Sequence, residues 1–370
     1  MQNIALVHDY LTQYGGAERV LSELCLLFPN APIYTLLYDE KMTGRAFADR
    51  AIYTSSLQKV PRSPFFHRFL ALWMPLAIEQ FDLSAYDIVV SSSASFGKGI
   101  LTREYTHHIC YCHTPMRSAW MDYKDVIGSS LYPQWLSTFF PLLLPYMRLW
   151  DRSSAQRIDT MLCNSYFIQQ KIERYYHRNA TVVYPPVSTG RFSIGEAKDY
   201  FLLVGRMLPY KRFDIAVEAC TALKLPLVVV GNGPEYPRLK KMAGDTITFL
   251  GRVSDDVLRV MYSQARAFLV PQEEDFGISP IESLASGRPV IAYRAGGALE
   301  YVKEGENGLL FGQQNAMSLQ EALIRFDRMV FDPETVRKTA LRFDRSVFHS
   351  EIVRVVRSAA LEQKRSVIQR

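Results

Sequence analysis

No run of about 18 uninterrupted apolar residues occurs in this chain, so no single helix is expected to span a bilayer. Nor does any block of like charges occur that would serve as a nucleic-acid-binding tail, and the basic residues form no stripe. Cysteine is sparse: five residues at Cys25, Cys110, Cys112, Cys163 and Cys220, an odd number without framework spacing. That usage points to a reducing compartment. Cys110 and Cys112 flank Tyr111 ahead of His113, but the pair is too tight for a zinc knuckle and has no second pair. The opening residues Met1 to Asp9 lack the basic start and long apolar run of a signal peptide, and read as a first buried strand.

What is present is ordinary for a folded protein. The 370 residues are 48% apolar, enough for sizeable cores, and the length suits two domains. A net charge of +6 is compatible with phosphorylated substrates, nucleic acid or an anionic membrane surface, and does not choose among them. The tail Lys364 to Arg370 is basic but short and reads as solvated.

Strand-like and helix-like segments alternate throughout. Strands are expected at Ile4–Val7, Ala31–Leu37, Asp87–Ser91, His107–Cys112 and Thr160–Asn164, with helices over Arg19–Phe28 and Ser165–Tyr176. The stiff segment Tyr184-Pro185-Pro186-Val187 suits neither a central strand nor a helix interior and marks a boundary. After it the alternation resumes. Strands are expected at Tyr200–Val204, Leu227–Val230, Thr246–Leu250, Ala267–Pro271 and Pro289–Tyr293, with a helix over Ser254–Ser263 opened by a Ser cap. Such alternation predicts two parallel sheets covered by helices, with a cleft between them where ligands collect. The expected domains are 1–187, completed by a final helix at about 344–370, and 188–343. Two aromatic-rich segments, Pro64–Phe81 and Leu131–Trp150, interrupt the pattern. They read as helices packed on the first domain, or as a surface for a lipid-linked acceptor or membrane interface.

The chemistry concentrates in a few loops. Glu274-Asp275-Phe276-Gly277-Ile278-Ser279-Pro280-Ile281-Glu282 follows an apolar strand and leads into a helix. A strand end, a tight turn and a helix start present free N–H groups to a phosphorylated ligand. Glu274 and Glu282 can accept hydrogen bonds from its hydroxyls. Gly205-Arg206 to Lys211 also follows a strand, and its two cations suit a departing diphosphate. Gly15-Gly16 follows the first strand and allows close backbone approach to a phosphate, or serves only as a turn. Gly231-Asn232-Gly233 matches a dinucleotide fingerprint poorly, because Pro234 follows and no third glycine closes it. His113 sits just past a strand end, as a structural group or a sugar contact.

Taken in order, these motifs resemble glycosyltransferase family 4 (GT4), retaining enzymes of the GT-B fold, across almost the whole length. The matching residues are Gly15 to Arg19, Cys112 to Arg117, Tyr184 to Val187, Gly205 to Lys211, Gly231 to Pro234, Glu274 to Glu282 and Gly296 to Glu300. The form His113-Thr114-Pro115-Met116-Arg117 is most similar to bacterial mannosyltransferases of O-antigen and exopolysaccharide assembly. Ser188 stands where relatives often carry Asp.

The resemblance implies an α/β GT-B architecture of two Rossmann-like parallel-sheet domains facing across a cleft. It implies that Arg206 and Lys211 hold the donor diphosphate, helped by Gly15, Gly16 and the backbone of Phe276, Gly277, Ile278 and Ser279. Glu282 would hold the ribose hydroxyls, Glu274 and His113 the sugar near its reacting carbon, and Arg252 and Val253 the base. His113, Arg206, Lys211 and Glu274 are thus the implied catalytic set, with no metal and no cofactor beyond the nucleotide-sugar donor: GDP-mannose first, a UDP-sugar second. The implied acceptor is a glycan or polyprenyl-diphosphate-linked glycan, met in the cytoplasm or at the cytoplasmic face of the inner membrane. No nucleic-acid partner is expected. Two rival readings are a sugar-nucleotide epimerase or hydrolase, with His113 and Glu274 as the acid–base pair, and a non-catalytic nucleotide-sugar-binding partner.

Overall fold

The computed structural model describes residues 2–60, 64–121 and 134–368, without the side chains of 64–69, 71, 134–142 and 364–368. It divides into two compact units. One is Met1–Pro186 with Phe348–Arg370, the other Val187–Val347.

The first unit is built on seven parallel strands in the order β3-β2-β1-β4-β5-β6-β7. They are β1 (Ile4–His8), β2 (Ile33–Thr35), β3 (Ile52–Thr54), β4 (Ile88–Ser93), β5 (His107–Cys112), β6 (Thr160–Cys163) and β7 (Thr181–Val182). β4 is buried at all six positions, as a parallel strand covered on both faces should be. In β1 the alternation sorts side chains to opposite faces. Leu6 packs with Val20, Leu21 and Leu24 of the helix Gly16–Leu27, together with Phe348, Ile352, Val355 and Val356 of the final helix, Arg345–Ile368. Ala5 and Val7 face the other way, toward Leu70, Met74 and Ile78 of the helix Pro64–Glu79. The strand order reverses between β1 and β4, which places a ligand crevice beyond their carboxyl ends.

The second unit has six parallel strands in the order β10-β9-β8-β11-β12-β13. They are β8 (Phe201–Val204), β9 (Leu227–Val230), β10 (Ile247–Gly251), β11 (Ala267–Val270), β12 (Val290–Tyr293) and β13 (Gly308–Phe311). Its core joins Phe201, Leu203, Val229, Leu269 and Ile291 to Phe213 and Val217 of the helix Phe213–Ala222 and Leu319 and Leu323 of the helix Ala316–Phe326. Here the order reverses between β8 and β11.

Differences from the sequence reading are local. β3, β7 and β13 were not expected. The first helix starts at Gly16 rather than Arg19, because Glu18 accepts the Gly15 N–H at 2.8 Å and closes the first turn early. The final helix, expected over about 344–370, runs from Arg345 to Ile368. Both aromatic-rich segments contain helices, Pro64–Glu79 and Gln134–Gln156. The side chains of Phe65, Phe66, Phe69, Trp135, Phe139, Phe140 and Leu142, and those of the basic tail Lys364 to Arg370, lie outside the described residues. No described helix is long and apolar enough to cross a membrane.

Candidate active site

Unit two gathers its functional side chains where β8 and β11 end. β8 leads through Gly205 and Arg206 to the single turn Pro209–Lys211. Arg212 follows in the left-handed region at φ 49°, its guanidinium on Asp214, and the helix Phe213–Ala222 begins at once. β11 leads through Gln272 to Glu274. The two loops meet: Lys211 Nζ donates to Glu274 Oε2 at 2.6 Å and Oε1 at 2.8 Å. Gln272 Nε2 donates to Glu274 Oε2 at 2.7 Å. Both charged side chains are still 17–18% exposed, so the pair borders solvent and its groups are reachable.

The backbone under Glu274 is held from behind. Gly297 N–H donates to Glu274 O at 2.8 Å. Gly296, at φ 62°, packs so close that a Cβ would lie 2.4 Å from Glu274 O. At the other end of the loop Gly277, at φ 99°, precedes the helix Ile278–Ala285. An L side chain adopts neither conformation readily, which accounts for glycine at both positions. Phe276 is buried against Tyr301 and Phe343. Ile278 and Ser279 open the helix half-buried, so their backbone stands at the loop surface. One turn further on, Glu282 is 7% exposed and its Oε2 accepts the Tyr262 hydroxyl at 2.9 Å.

Arg206, Lys211, Glu274, Phe276 to Ser279 and Glu282 therefore share one corner of the second sheet. Arg206 is exposed there. Arg252, exposed, and Val253 follow β10, three strands away from β11 in the sheet order. At the usual spacing that is about 14 Å. The Gly231-Asn232-Gly233 turn braces the Arg206 loop: Met207 N–H donates to Asn232 O at 3.0 Å and Glu235 N–H to Met207 O at 3.1 Å.

His113 and Gly15-Gly16 belong to unit one, at the carboxyl ends of β5 and β1. His113 Nε2 is 2.8 Å from Ser92 Oγ, its N–H donates to Ser93 O, and its carbonyl accepts Asn164 Nδ2 at 3.0 Å. The imidazole is thus held by Ser92, and the backbone that carries it by Ser93 and Asn164. Gly16 is exposed, but the Gly15 N–H is already given to Glu18. Burial alone would raise the Glu18 carboxyl. The neighbouring His8, its Nε2 3.8 Å from Glu18 Oε1, and the Gly15 N–H outweigh it and hold the group below the usual carboxylate range. Cys110 and Cys112 are fully buried, and burial pushes the Cys110 thiol up to about 11, so neither is a ready nucleophile.

Gln272 and Tyr262 in the second unit, and Ser92 and Asn164 in the first, hold these side chains and were not singled out from sequence. Only Gln272 lies within a recognised motif's reach, two residues before Glu274.

The sequence profile of Glycosyltransferase Family 4 matches residues 14–191, and that of Glycosyl transferases group 1 matches residues 189–334. Among relatives, the chain is 30% identical over 206 residues to the O-antigen chain mannosyltransferase RfbU of Salmonella typhimurium, covering 50% of this chain and 58% of that protein. It is 23% identical over 352 residues to O-antigen chain mannosyltransferase C of Escherichia coli, covering 86% and 87%. The chain spans about half the length of several curated relatives it matches. Among solved structures, HepE of Anabaena in complex with UDP and glucose superimposes with a TM-score of 0.71 at 16% identity, covering 97% of this chain and all of that one. Two consecutive glycosyltransferase profiles span every motif loop described above and every strand but β1, and the chain belongs to the family 4 glycosyltransferases.

Proposed function

We propose that the protein transfers a hexose, mannose in the first instance, from a nucleotide-sugar donor to a glycan or polyprenyl-diphosphate-linked acceptor in bacterial surface polysaccharide synthesis. The observation that carries this reading is the Lys211–Glu274 pair, formed where the strand order of the second sheet reverses. There a cation for a leaving diphosphate and a carboxylate for sugar hydroxyls stand within one hydrogen bond of each other.

Arg206 and Lys211 neutralise the departing diphosphate, and Glu282 accepts the ribose hydroxyls. Arg252 and Val253 bound the base pocket; about 14 Å from the Glu274 strand is a span a nucleoside diphosphate can bridge. Glu274 and His113 contact the transferring sugar. Transfer proceeds with retention, the acceptor hydroxyl entering on the face that the diphosphate leaves and passing its proton to the diphosphate. Stabilisation of developing negative charge is the main catalytic term, and the two cations supply it from the protein itself. GDP-mannose is favoured as donor because RfbU and mannosyltransferase C are mannosyltransferases by name. A UDP-sugar comes second, HepE having been crystallised with UDP and glucose.

The protein acts at the cytoplasmic face of the inner membrane as a peripheral protein. Trp73 and Leu76 on one helix, and Tyr146 and Leu149 on another, are exposed apolar side chains that support this placement. Vesicle binding unchanged by their replacement with serine would remove the membrane contact from the proposal.

Calorimetric titration with GDP, UDP, GDP-mannose and UDP-glucose, on the native chain and on Glu282→Ala, tests the donor reading. Selective binding of one nucleotide class, lost in the variant, is expected. Binding of none of the four would overturn it.

A further inference from the structure

Lys98 lies at full burial in the turn that follows β4, and its Nζ is 2.5 Å from Asp151 Oδ1, a carboxylate that is also fully buried. The same ammonium donates to Ser95 O. The other Asp151 oxygen, Oδ2, accepts Trp120 Nε1 at 2.7 Å and the Tyr176 hydroxyl at 2.7 Å. Trp120 is pinned further. It stacks on Tyr175 with ring centroids 4.9 Å apart, and Arg148 lies 5.8 Å from its ring centre. Arg148 Nε also donates to Ala119 O at 2.7 Å.

Arg148 and Asp151 are one turn apart on the helix Gln134–Gln156, so one helix face grips Ala119 and Trp120 together. Those two residues end the short helix Arg117–Trp120, which continues the segment that begins at His113. The far end of the segment is held by the end of β4 and the loop it opens, through Ser92 and Ser93. That loop is itself closed around Asp9, whose carboxylate accepts Ser93 Oγ and the N–H groups of Ala94, Ser95 and Gly97 at 2.5 to 3.0 Å. Lys98 joins the loop to Asp151, and the circuit from His113 to Trp120 is complete. A desolvated ion pair returns in attraction about what it costs to bury, so stability does not account for it. What it supplies is a fixed geometry for two loops.

We propose that Asp151 is a positioning residue for glycosyl transfer: anchored by Lys98, it holds Trp120 and thereby the His113–Arg117 segment in the arrangement that transfer requires. The proposal rests on the reading of His113 as a sugar contact. Asp151 itself touches no substrate.

Two variants test it. Trp120→Phe keeps the stacked ring and removes only the Nε1 donor. Lys98→Met/Asp151→Asn keeps an acceptor for Trp120 and removes the tie to the β4 loop without leaving a lone buried charge. In both, kcat should fall about tenfold or more, since misplacement of a contact group by an ångström costs on that order or above. Affinity for the nucleotide alone, read on unit two, should stay within about twofold, a split that general loss of structure would not produce. Amide exchange over Met116 to Met121 should speed up while the β4 and β5 amides keep their protection. Native kcat, or unchanged exchange over that segment, in both folded variants would overturn the proposal. So would parallel losses of kcat and nucleotide affinity. If the native chain transfers from none of the donors, the donor reading fails, while the exchange result still decides whether Asp151 holds the segment.

Discussion

Lys211 and Glu274 engage each other through both carboxylate oxygens, at 2.6 and 2.8 Å, across two loops that leave neighbouring strands. Each is therefore the other's positioning device as well as a candidate substrate contact. Lys211→Ala should lower kcat about a hundred- to a thousandfold, the size of effect seen when one preorganised donor to a developing charge is removed. Near-native turnover in a folded Lys211→Ala protein would sink the role. A double-mutant cycle with Glu274→Gln separates the two functions. If Lys211 serves only to hold Glu274, the double variant will be no slower than Glu274→Gln alone.

Gly296 supports the same pair from beneath. Gly296→Ala puts a Cβ 2.4 Å from the Glu274 carbonyl, in a backbone conformation that L side chains rarely adopt. Backbone cannot yield there as a flexible side chain could. Stability should fall by about 1–3 kcal/mol, and Glu274 should shift away from Lys211. Denaturant midpoints together with kcat check this; an alanine variant unchanged in both would show that the loop relaxes freely.

Tyr262 gives its hydroxyl to Glu282 inside the second unit. Tyr262→Phe keeps the ring, which packs against Phe192 and Phe268, and removes only the donor. The buried carboxylate loses one partner, at a cost of about 1–3 kcal/mol. If Glu282 receives the ribose, nucleotide affinity should weaken about tenfold, since an imperfectly held carboxylate must be re-ordered on binding. Unaltered affinity in Tyr262→Phe, beside lost binding in Glu282→Ala, would limit Tyr262 to packing.

Much of this was legible in the sequence because the motif loops sit between unmistakable elements. Ala267 to Pro271 is apolar throughout, and Gly287-Arg288-Pro289 ends the following helix, so Glu274 and Glu282 could be placed at a strand end and a helix start. The partners were not legible. Tyr262 reaches Glu282 from another helix and Asn164 reaches His113 from another strand, and neither leaves a pattern in its own segment. Lys98 is the sharpest case: nothing in its small-residue turn announces that the distant Asp151 accompanies it into the interior. The short strands β3 and β7 carry too few residues for an alternating pattern to register.

The buried His108 should cost the first unit stability in acid. The ring is fully buried on β5, its Nε2 2.7 Å from Ser91 Oγ, and its Nδ1 has no hydrogen-bond partner among the described residues. Burial pushes the imidazole down to about 3, with the nearby His107 and Arg157 adding to the effect. In the unfolded chain the same group titrates near 6.5. Between these values the unfolded state binds a proton that the native state refuses, so stability declines as pH falls below about 6.5 and continues to decline toward 3. At most about 1.4 kcal/mol is lost per pH unit, or about 2 kcal/mol by pH 5. His108→Gln has no charge to refuse and can keep the bond to Ser91. Its unfolding midpoint should therefore change less than the native protein's between pH 7.5 and pH 5. Equal declines in the two proteins would assign the acid sensitivity to other groups.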